Sequence, residues 1–153
     1  MDLILWRHAE AEDAAAAGGD LARSLTPHGE KQAARVGAWL ARHLPEDAQI
    51  LCSPARRCEQ TAKALGRPCK VIAALAPGSD PEQVVQAAGW PAGRHAVVIV
   101  GHQPTLGETI ARLLGLDAES CAVRKGGVWW LRSRARAGQQ QTTVVAVQSP
   151  DTL

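Results

Sequence analysis

Residues 2–8 read DLILWRH, an apolar run that stops abruptly at Arg7 and His8. Such a run predicts a buried β-strand with polar residues at its carboxyl end. Residues 96–100 (AVVIV) are the strongest strand signal in the chain, and they lead into Gly101 and His102. Because open α/β sheets bind ligands at the carboxyl ends of their strands, both histidines are candidate site residues.

Helical patterns alternate with these strands. Thr26 and Pro27 predict the start of an amphipathic helix that ends before Pro45, with Glu30 close to the capping-box position. The other predicted helices cover residues 55–65, 80–88 and 104–114, and the other predicted strands cover residues 49–52 and 69–75. The alternation predicts an α/β protein, with three α/β/α layers around a mainly parallel central sheet.

The remaining segments are less regular. Residues 9–24 have no clear period and are expected to be mostly loop that could cover a site. Residues 127–134 and 142–148 predict a C-terminal hairpin around a polar turn at 137–141. With no linker or internal repeat, residues 1–153 are expected to form a single domain.

The composition is that of a soluble globular protein, with 46% hydrophobic and 21% charged residues. Seventeen basic residues against 15 acidic ones leave a charge of +2, which argues against nucleic acid or a membrane as the main partner. No export signal or membrane span is readable, so a cytoplasmic location is expected. Metal-site spacing is absent among the cysteines, which we expect to be reduced thiols: Cys52, Cys58, Cys69 and Cys121.

Polar side chains follow three of the predicted strands. Arg7 and His8 follow the first, Ser53 leads to Arg56 and Arg57 after the second, and His102 follows the fourth. Parallel strands place these ends at one edge of the sheet. Arginine offers a fork of donors to phosphate oxygens, and histidine can donate a proton or attack phosphorus, so the set suits a phosphoryl group.

Four motifs, in order, carry a family resemblance: RHAEA at 7–11, SLTPHG at 24–29, SPARRCEQTA at 53–62 and VGHQP at 100–104. Together they resemble the histidine phosphatase superfamily, and within it the SixA-type phosphohistidine phosphatases, over residues 2 to about 114. The resemblance implies a phosphoglycerate mutase-like fold and a site that needs no metal or cofactor. Ala9 stands where the superfamily has glycine.

The resemblance also implies roles for individual residues. His8 would be the nucleophile that forms a covalent phosphohistidine, with Arg7, Arg57 and a protonated His102 around the phosphoryl group. Arg57 is chosen over Arg56 because the family places its arginine four residues after the motif serine. Two further residues are candidates for substrate binding: Ser53, which could instead cap a helix, and Gln103, which could contact the site through its backbone.

The substrate class depends on the leaving group. Residues 75–80 lack the glutamate with which an ester-cleaving branch protonates an alkoxide, as in the SixA-like proteins, and this favours a P–N substrate. Two carboxylates are the first candidates for an acid, Glu10 and Asp80, and three others are possible: Glu12, Asp13 and Glu108. The expected partner is a phosphorylated protein, such as a phosphorelay histidine domain, acted on by a monomer. The alternatives are a small phosphate ester, or a phospho-ligand-binding module without useful catalysis.

The hairpin carries two further features. Trp129 and Trp130 should point to opposite faces of a strand, one into the core, and stacking on nucleic acid is the alternative. Alternate arginines, Arg132 to Arg136, could bind anions but are expected to form a solvated edge. Arg23, before the first long helix, could guide an acidic substrate or lie on the surface.

Overall fold

A computed structural model describes residues 1–153 and contains one six-stranded sheet. The strands are β1 (Asp2–Arg7), β2 (Gln49–Cys52), β3 (Lys70–Val71), β4 (Val97–Gly101), β5 (Val128–Arg136) and β6 (Gln139–Gln148), in the order β3-β2-β4-β1-β5-β6. The first four in the chain run parallel, and β5 and β6 form an antiparallel hairpin beside β1. The predicted mainly parallel sheet with a C-terminal hairpin is confirmed.

Five helices accompany the sheet: α1 (Ala14–Ala17), α2 (Pro27–His43), α3 (Arg56–Lys63), α4 (Pro81–Ala88) and α5 (Thr105–Leu114). Short 3₁₀ turns occur at Ala73–Leu75 and Pro150–Thr152. No helix combines the length and the apolar character that crossing a membrane requires.

Alternate residues of β1 supply two separate core clusters, one on each face of the sheet. Ile4 and Trp6 pack with residues of α2 and α3, whereas Leu3 and Leu5 pack with residues of α4 and α5. Since all four side chains are fully buried, each contributes about 1.5–3 kcal/mol to folding. This burial on both faces fixes β1 at the centre of the three layers and holds its carboxyl end in place.

Helix α2 begins as its sequence predicts, apart from the capping box. The Thr26 Oγ1 atom accepts a hydrogen bond from the Gly29 N–H at 3.0 Å, and Pro27 is the first helical residue. Glu30 does not close a capping box, because the Thr26 N–H donates to the Glu10 carbonyl at 3.0 Å instead. The start of α2 is therefore tied to the chain just after His8.

Two element boundaries differ from the sequence-based prediction. The predicted strand 69–75 is reduced to β3 at the sheet edge, and Ala73–Leu75 form a 3₁₀ turn that buries Leu75. With a strand neighbour on one side only, β3 has less to hold it extended. The hairpin turn is shorter than predicted, at Ala137 and Gly138, whose φ values of 51° and 76° suit a two-residue type I′ turn.

The hairpin tryptophans point to opposite faces, as predicted. Trp130 is buried against Trp39, with ring centroids 6.1 Å apart, and its Nε1 donates to Asp2 at 3.0 Å. A buried ring cannot stack on nucleic acid. Arg132 is also used internally, in an ion pair with Asp2 at 2.6 Å, whereas the next two arginines of the row are exposed: Arg134 and Arg136.

Candidate active site

Three adjacent parallel strands deliver the site residues to one edge of the sheet. The backbone ladder continues past the strand ends, because the His8 N–H donates to Gly101 and the Ser53 N–H donates to Val100, each at 3.1 Å. His8 and His102 are thereby held with ring centroids 5.4 Å apart. The convergence expected from the strand ends is present.

Arg57, in the first turn of α3, joins the two histidines. Its Nε donates to His8 Nε2 at 3.4 Å, and its NH2 nitrogen donates to His102 Nδ1 at 3.3 Å. Arg57 is only 3% exposed, while Arg56 points to solvent. Of these two neighbouring arginines, the one that lies in the site is therefore Arg57, which the sequence analysis chose.

The hydrogen bonds of His8 determine its tautomer. Nδ1 lies 2.8 Å from the Ala9 carbonyl oxygen, which can only accept, so Nδ1 carries the proton and Nε2 keeps its lone pair. Burial is the main cause that lowers the pKa of His8 to about 3, and the positive charges of Arg57 and Arg7 act in the same direction. His8 is therefore a neutral imidazole with an unprotonated Nε2, as a nucleophile requires.

His102 is also neutral in the ligand-free site, which differs from the expected imidazolium. Burial and the nearby charge of Arg57 lower its pKa to about 4. Because Nδ1 accepts from Arg57, the ring proton lies on Nε2 and is donated to Ser53 Oγ at 2.7 Å. A phosphoryl dianion in the site would favour the protonated ring again.

Ser53 is fully buried and holds His102 rather than opening to solvent. Its Oγ accepts from both His102 Nε2 and the Ala55 N–H, the latter at 3.1 Å. These contacts favour a positioning role over a direct bond to phosphate, and Ser53 does not cap α3, whose N-cap residue is Ala55 and which has no side-chain cap hydrogen bond. The Cys58 Sγ atom lies on the same side of the ring, 3.5 Å from His102 Nε2.

Arg7 contributes charge without a hydrogen bond to the other three residues. Its NH1 nitrogen donates to the Val123 carbonyl at 2.8 Å, and its buried Nε has no hydrogen-bond partner. Burial lowers the pKa of Arg7, although the side chain stays charged. An unsatisfied buried donor costs about 1–3 kcal/mol, so an oxyanion at this atom would be stabilised.

Gln103 and both leading acid candidates are engaged in structural hydrogen bonds. The Gln103 amide donates to the Cys121 carbonyl at 2.9 Å and accepts from the Gly107 N–H at 2.7 Å. Glu10 accepts from the Thr26 hydroxyl at 2.7 Å, and Asp80 caps α4 by accepting from the Gln83 N–H at 2.9 Å. None of these side chains hydrogen-bonds to the two histidines or to Arg57.

The other acid candidates likewise have no hydrogen bond to His8, Arg57 or His102. Glu12 accepts from the Ser24 N–H at 3.3 Å, while Asp13 precedes α1 and is exposed. Glu108 is a half-buried residue of α5.

Thr61 is a functional neighbour that the sequence motif contained but that we did not single out. Its buried hydroxyl accepts from the Ala9 N–H at 3.1 Å and donates to the Arg57 carbonyl at 2.8 Å. It therefore joins the residue after His8 to the first turn of α3. Ala9 itself is buried with Leu25 and Ala33 and has no positive φ, which explains why alanine can replace the family glycine.

Asp20 is a second residue that the sequence analysis did not identify. It lies in the 9–24 loop, where its carbonyl accepts from Arg57 NH1 at 2.7 Å and its Oδ2 accepts from Arg57 NH2 at 3.2 Å. Its Oδ1 pairs with Arg23 at 3.3 Å. Burial alone would raise the pKa of Asp20, but the hydrogen bonds and charges of Arg57 and Arg23 outweigh it and lower the pKa. The only indication in the sequence was the prediction that the 9–24 loop could cover a site.

Two clefts lie elsewhere on the surface. One of about 830 Å³ is lined by residues from 46–51 and 67–72, and another of about 590 Å³ lies beside Arg134 and Arg136. Neither contains His8, Arg57 or His102. Because these three residues are at most 7% exposed, the site is a nearly closed recess beneath the Asp20 loop.

Comparison with known proteins agrees with this geometry. Residues 3–78 match the family model of the histidine phosphatase superfamily (branch 1). An uncharacterised protein of Picosynechococcus sp. is 35% identical over 93% of this chain and 91% of its own. The SixA phosphohistidine phosphatase homologue of Haemophilus influenzae is 31% identical over 75% of this chain and 78% of its own.

A solved structure gives the same result. The protein histidine phosphatase SixA, in complex with tungstate, superposes with a TM-score of 0.81 at 25% identity, covering 99% of this chain and 98% of that one. The chain therefore belongs to the histidine phosphatase superfamily. Within that superfamily it is a SixA-type hydrolase, a phosphatase whose candidate nucleophile is His8.

Proposed function

We propose that this protein removes phosphoryl groups from phosphohistidine side chains of a protein, through a covalent phosphohistidine on His8. The observation that carries the proposal is the contact of Arg57 with both His8 Nε2 and His102 Nδ1. A tetrahedral oxyanion at this point would find a nucleophile and charged donors at once. The SixA structure solved with tungstate, a tetrahedral oxyanion, supports the same chemistry here.

In the first step, His8 Nε2 attacks phosphorus in line and the bond from phosphorus to the leaving group breaks, with the electron pair going to the leaving group. Arg57 and Arg7 stabilise the equatorial oxygens, and His102 joins them once the bound dianion favours its protonation. Each well-placed donor contributes about 3 kcal/mol of transition-state stabilisation. The Nδ1 hydrogen bond to Ala9 keeps Nε2 aimed at phosphorus throughout.

In the second step, water attacks the phosphorylated His8. The P–Nε2 bond breaks, its electron pair returns to the ring as the neutral Nδ1–H imidazole, and both water protons leave with the product as dihydrogen phosphate. Charge is supplied by the two arginines, and the described residues contain no group of His, Cys, Asp or Glu arranged to hold a metal. We therefore propose a reaction that uses no metal ion.

The leaving group favours phosphohistidine over a phosphate ester. Glu10 and Asp80 are both bound in caps, so neither is free to protonate an alkoxide. Imidazole leaves without such an acid when its second nitrogen already carries a proton. The Haemophilus influenzae relative, a phosphohistidine phosphatase SixA homologue, supports the same substrate class. A phosphorelay histidine domain as partner, a cytoplasmic location and a monomeric state remain sequence-based predictions.

The test is turnover of a phosphohistidine-bearing protein and of p-nitrophenyl phosphate by wild type, His8→Ala and His95→Ala. His95 is an exposed histidine paired with Asp47 before β4, so its variant is the matched control. We expect His8→Ala to lose both turnover and an acid-labile phosphoenzyme, while His95→Ala keeps both. Equal rates in all three proteins would remove His8 from the mechanism, and preferred turnover of the ester would favour the alternative substrate. Oxyanion binding without turnover of either substrate would favour a binding module.

A further inference from the structure

The Asp20 carboxylate occupies a donor that a phosphoryl group needs. Arg57 directs Nε to His8, NH1 to the Asp20 carbonyl, and NH2 to both His102 and Asp20 Oδ2. A phosphoryl oxygen can therefore accept the NH2 hydrogen that Asp20 now holds only after the carboxylate has moved. The backbone bond from NH1 to the Asp20 carbonyl does not compete, because it uses a different nitrogen.

The loop can release this carboxylate without leaving the site. The Leu21 carbonyl accepts from the Arg56 N–H at 3.0 Å, so two successive carbonyls, those of Asp20 and Leu21, hold the loop to the first turn of α3. The Asp20 side chain is 50% exposed and has space to rotate. Only the carboxylate has to move, and it stays close to the mouth of the recess.

In-line attack defines which side of the phosphoryl group Asp20 faces. In an in-line reaction the leaving group departs on the side of phosphorus opposite His8, and because His8 is only 7% exposed, we infer that this opposite side faces solvent. Asp20 lies on the solvent side of Arg57, since its side chain is half exposed while that of Arg57 is 4% exposed. Asp20 also hydrogen-bonds to Arg57 itself, whereas Glu10 accepts from the Thr26 hydroxyl and Asp80 caps α4.

We propose that Asp20 determines specificity for a P–N leaving group, by accepting a hydrogen bond from the ring N–H of the departing imidazole once the phosphoryl group has displaced it from Arg57. The inference rests on the proposed function. As His8 Nε2 bonds to phosphorus, the P–N bond breaks, its electron pair stays on the leaving ring, and the proton on the other ring nitrogen makes the product a neutral imidazole. The ionised Asp20 carboxylate accepts a hydrogen bond from this ring N–H before the P–N bond breaks. Because the ionised carboxylate carries no proton, it cannot protonate the alkoxide that leaves from a phosphate ester.

The experiment compares Asp20→Asn with wild type in single-turnover formation of the phosphoenzyme from N-phosphoimidazole and from p-nitrophenyl phosphate. We expect the variant to lose about tenfold or more with N-phosphoimidazole, because a hydrogen bond to a charged group is lost. With p-nitrophenyl phosphate the rate should stay the same or rise, because the leaving nitrophenolate needs no partner. Tungstate should bind Asp20→Asn several-fold more tightly, because its competitor for Arg57 carries no charge.

Asp13→Asn, in the same loop but exposed and without contact to Arg57, is the matched control and should change none of these quantities. Equal losses with both phosphoryl donors, or no loss with either, would overturn the role of Asp20. Thermal unfolding of each variant shows whether the fold is retained, and Asp20→Ala provides a second variant. Failure of wild type to form a phosphoenzyme from either donor would instead contradict the proposed function itself.

Discussion

Arg57 Nε lies 3.4 Å from His8 Nε2, the atom that attacks phosphorus in the proposed mechanism and must stay unprotonated to do so. A guanidinium in this place can donate to the lone pair but cannot supply a proton to it, because arginine keeps its proton at any ordinary pH. The same side chain reaches His102, which is 45 residues further along the chain. In the proposed mechanism Arg57 would therefore align His8, add to the effect of burial in keeping the pKa of His8 low, and offer charge to the substrate.

Loss of this arginine should be severe and specific. We expect Arg57→Ala to lower kcat/KM for a phosphohistidine protein by about 10²–10³, comparable to removal of an oxyanion donor. Arg56→Ala is the control. Because the Arg56 side chain is exposed, we expect this change to lower kcat/KM by no more than a few-fold in steady-state kinetics. Comparable losses in the two variants would show that Arg57 has no special role.

The tautomers assigned to the two histidines can be observed directly. In long-range ¹H–¹⁵N spectra between pH 6 and 8, we expect His8 as the neutral Nδ1–H form and His102 as the neutral Nε2–H form. The pKa values of about 3 and about 4 place both protonation steps below this range. Tungstate should move His102 toward the imidazolium, and a His8 that titrates near pH 6.5 would contradict the assigned burial.

The buried histidines should also make stability depend on pH. Their folded-state pKa values lie below the usual 6.5, so the unfolded chain binds more protons and stability falls as pH is lowered from about 6.5 toward 4. Together they account for up to several kcal/mol of this loss. Urea unfolding at pH 7 and pH 5 should show a smaller drop in His8→Gln than in wild type. The control His95→Gln should keep the full drop, and an unchanged drop in His8→Gln would refute the linkage.

Gly29 should resist substitution, because a Cβ there would collide with the backbone carbonyl of Glu10. We expect Gly29→Ala to reduce the free energy of unfolding by about 1–3 kcal/mol, and to lower kcat by displacing the chain after His8. Chemical denaturation and kinetics on this variant check both effects. His28→Ala, an exposed change in the same helical turn, should stay within about 0.5 kcal/mol of wild type. Wild-type stability in Gly29→Ala would mean that α2 and the His8 loop can separate freely.

Much of the fold and half of the site follow from local patterns in the chain. The runs DLILW and AVVIV can form little other than buried strands, and parallel strands bring Arg7, His8 and His102 to one edge. Thr26 and Asp80 predicted two helix starts correctly, because capping depends on residues only three positions apart. The length of the edge strand β3 depends on neighbours that are distant in the chain, and there the local pattern predicted a longer strand than the structure contains.

Tertiary structure alone decided which groups are free to react. Glu10 and Asp80 looked like acids in the sequence, yet hydrogen bonding within the fold occupies both, while Asp20 meets Arg57 across 37 residues of chain. The same holds for the charge on His102, because a pKa depends on burial and on surrounding charges rather than on residue type. Residue order thus determined which side chains reach the edge of the sheet, and packing determined their protonation states and partners.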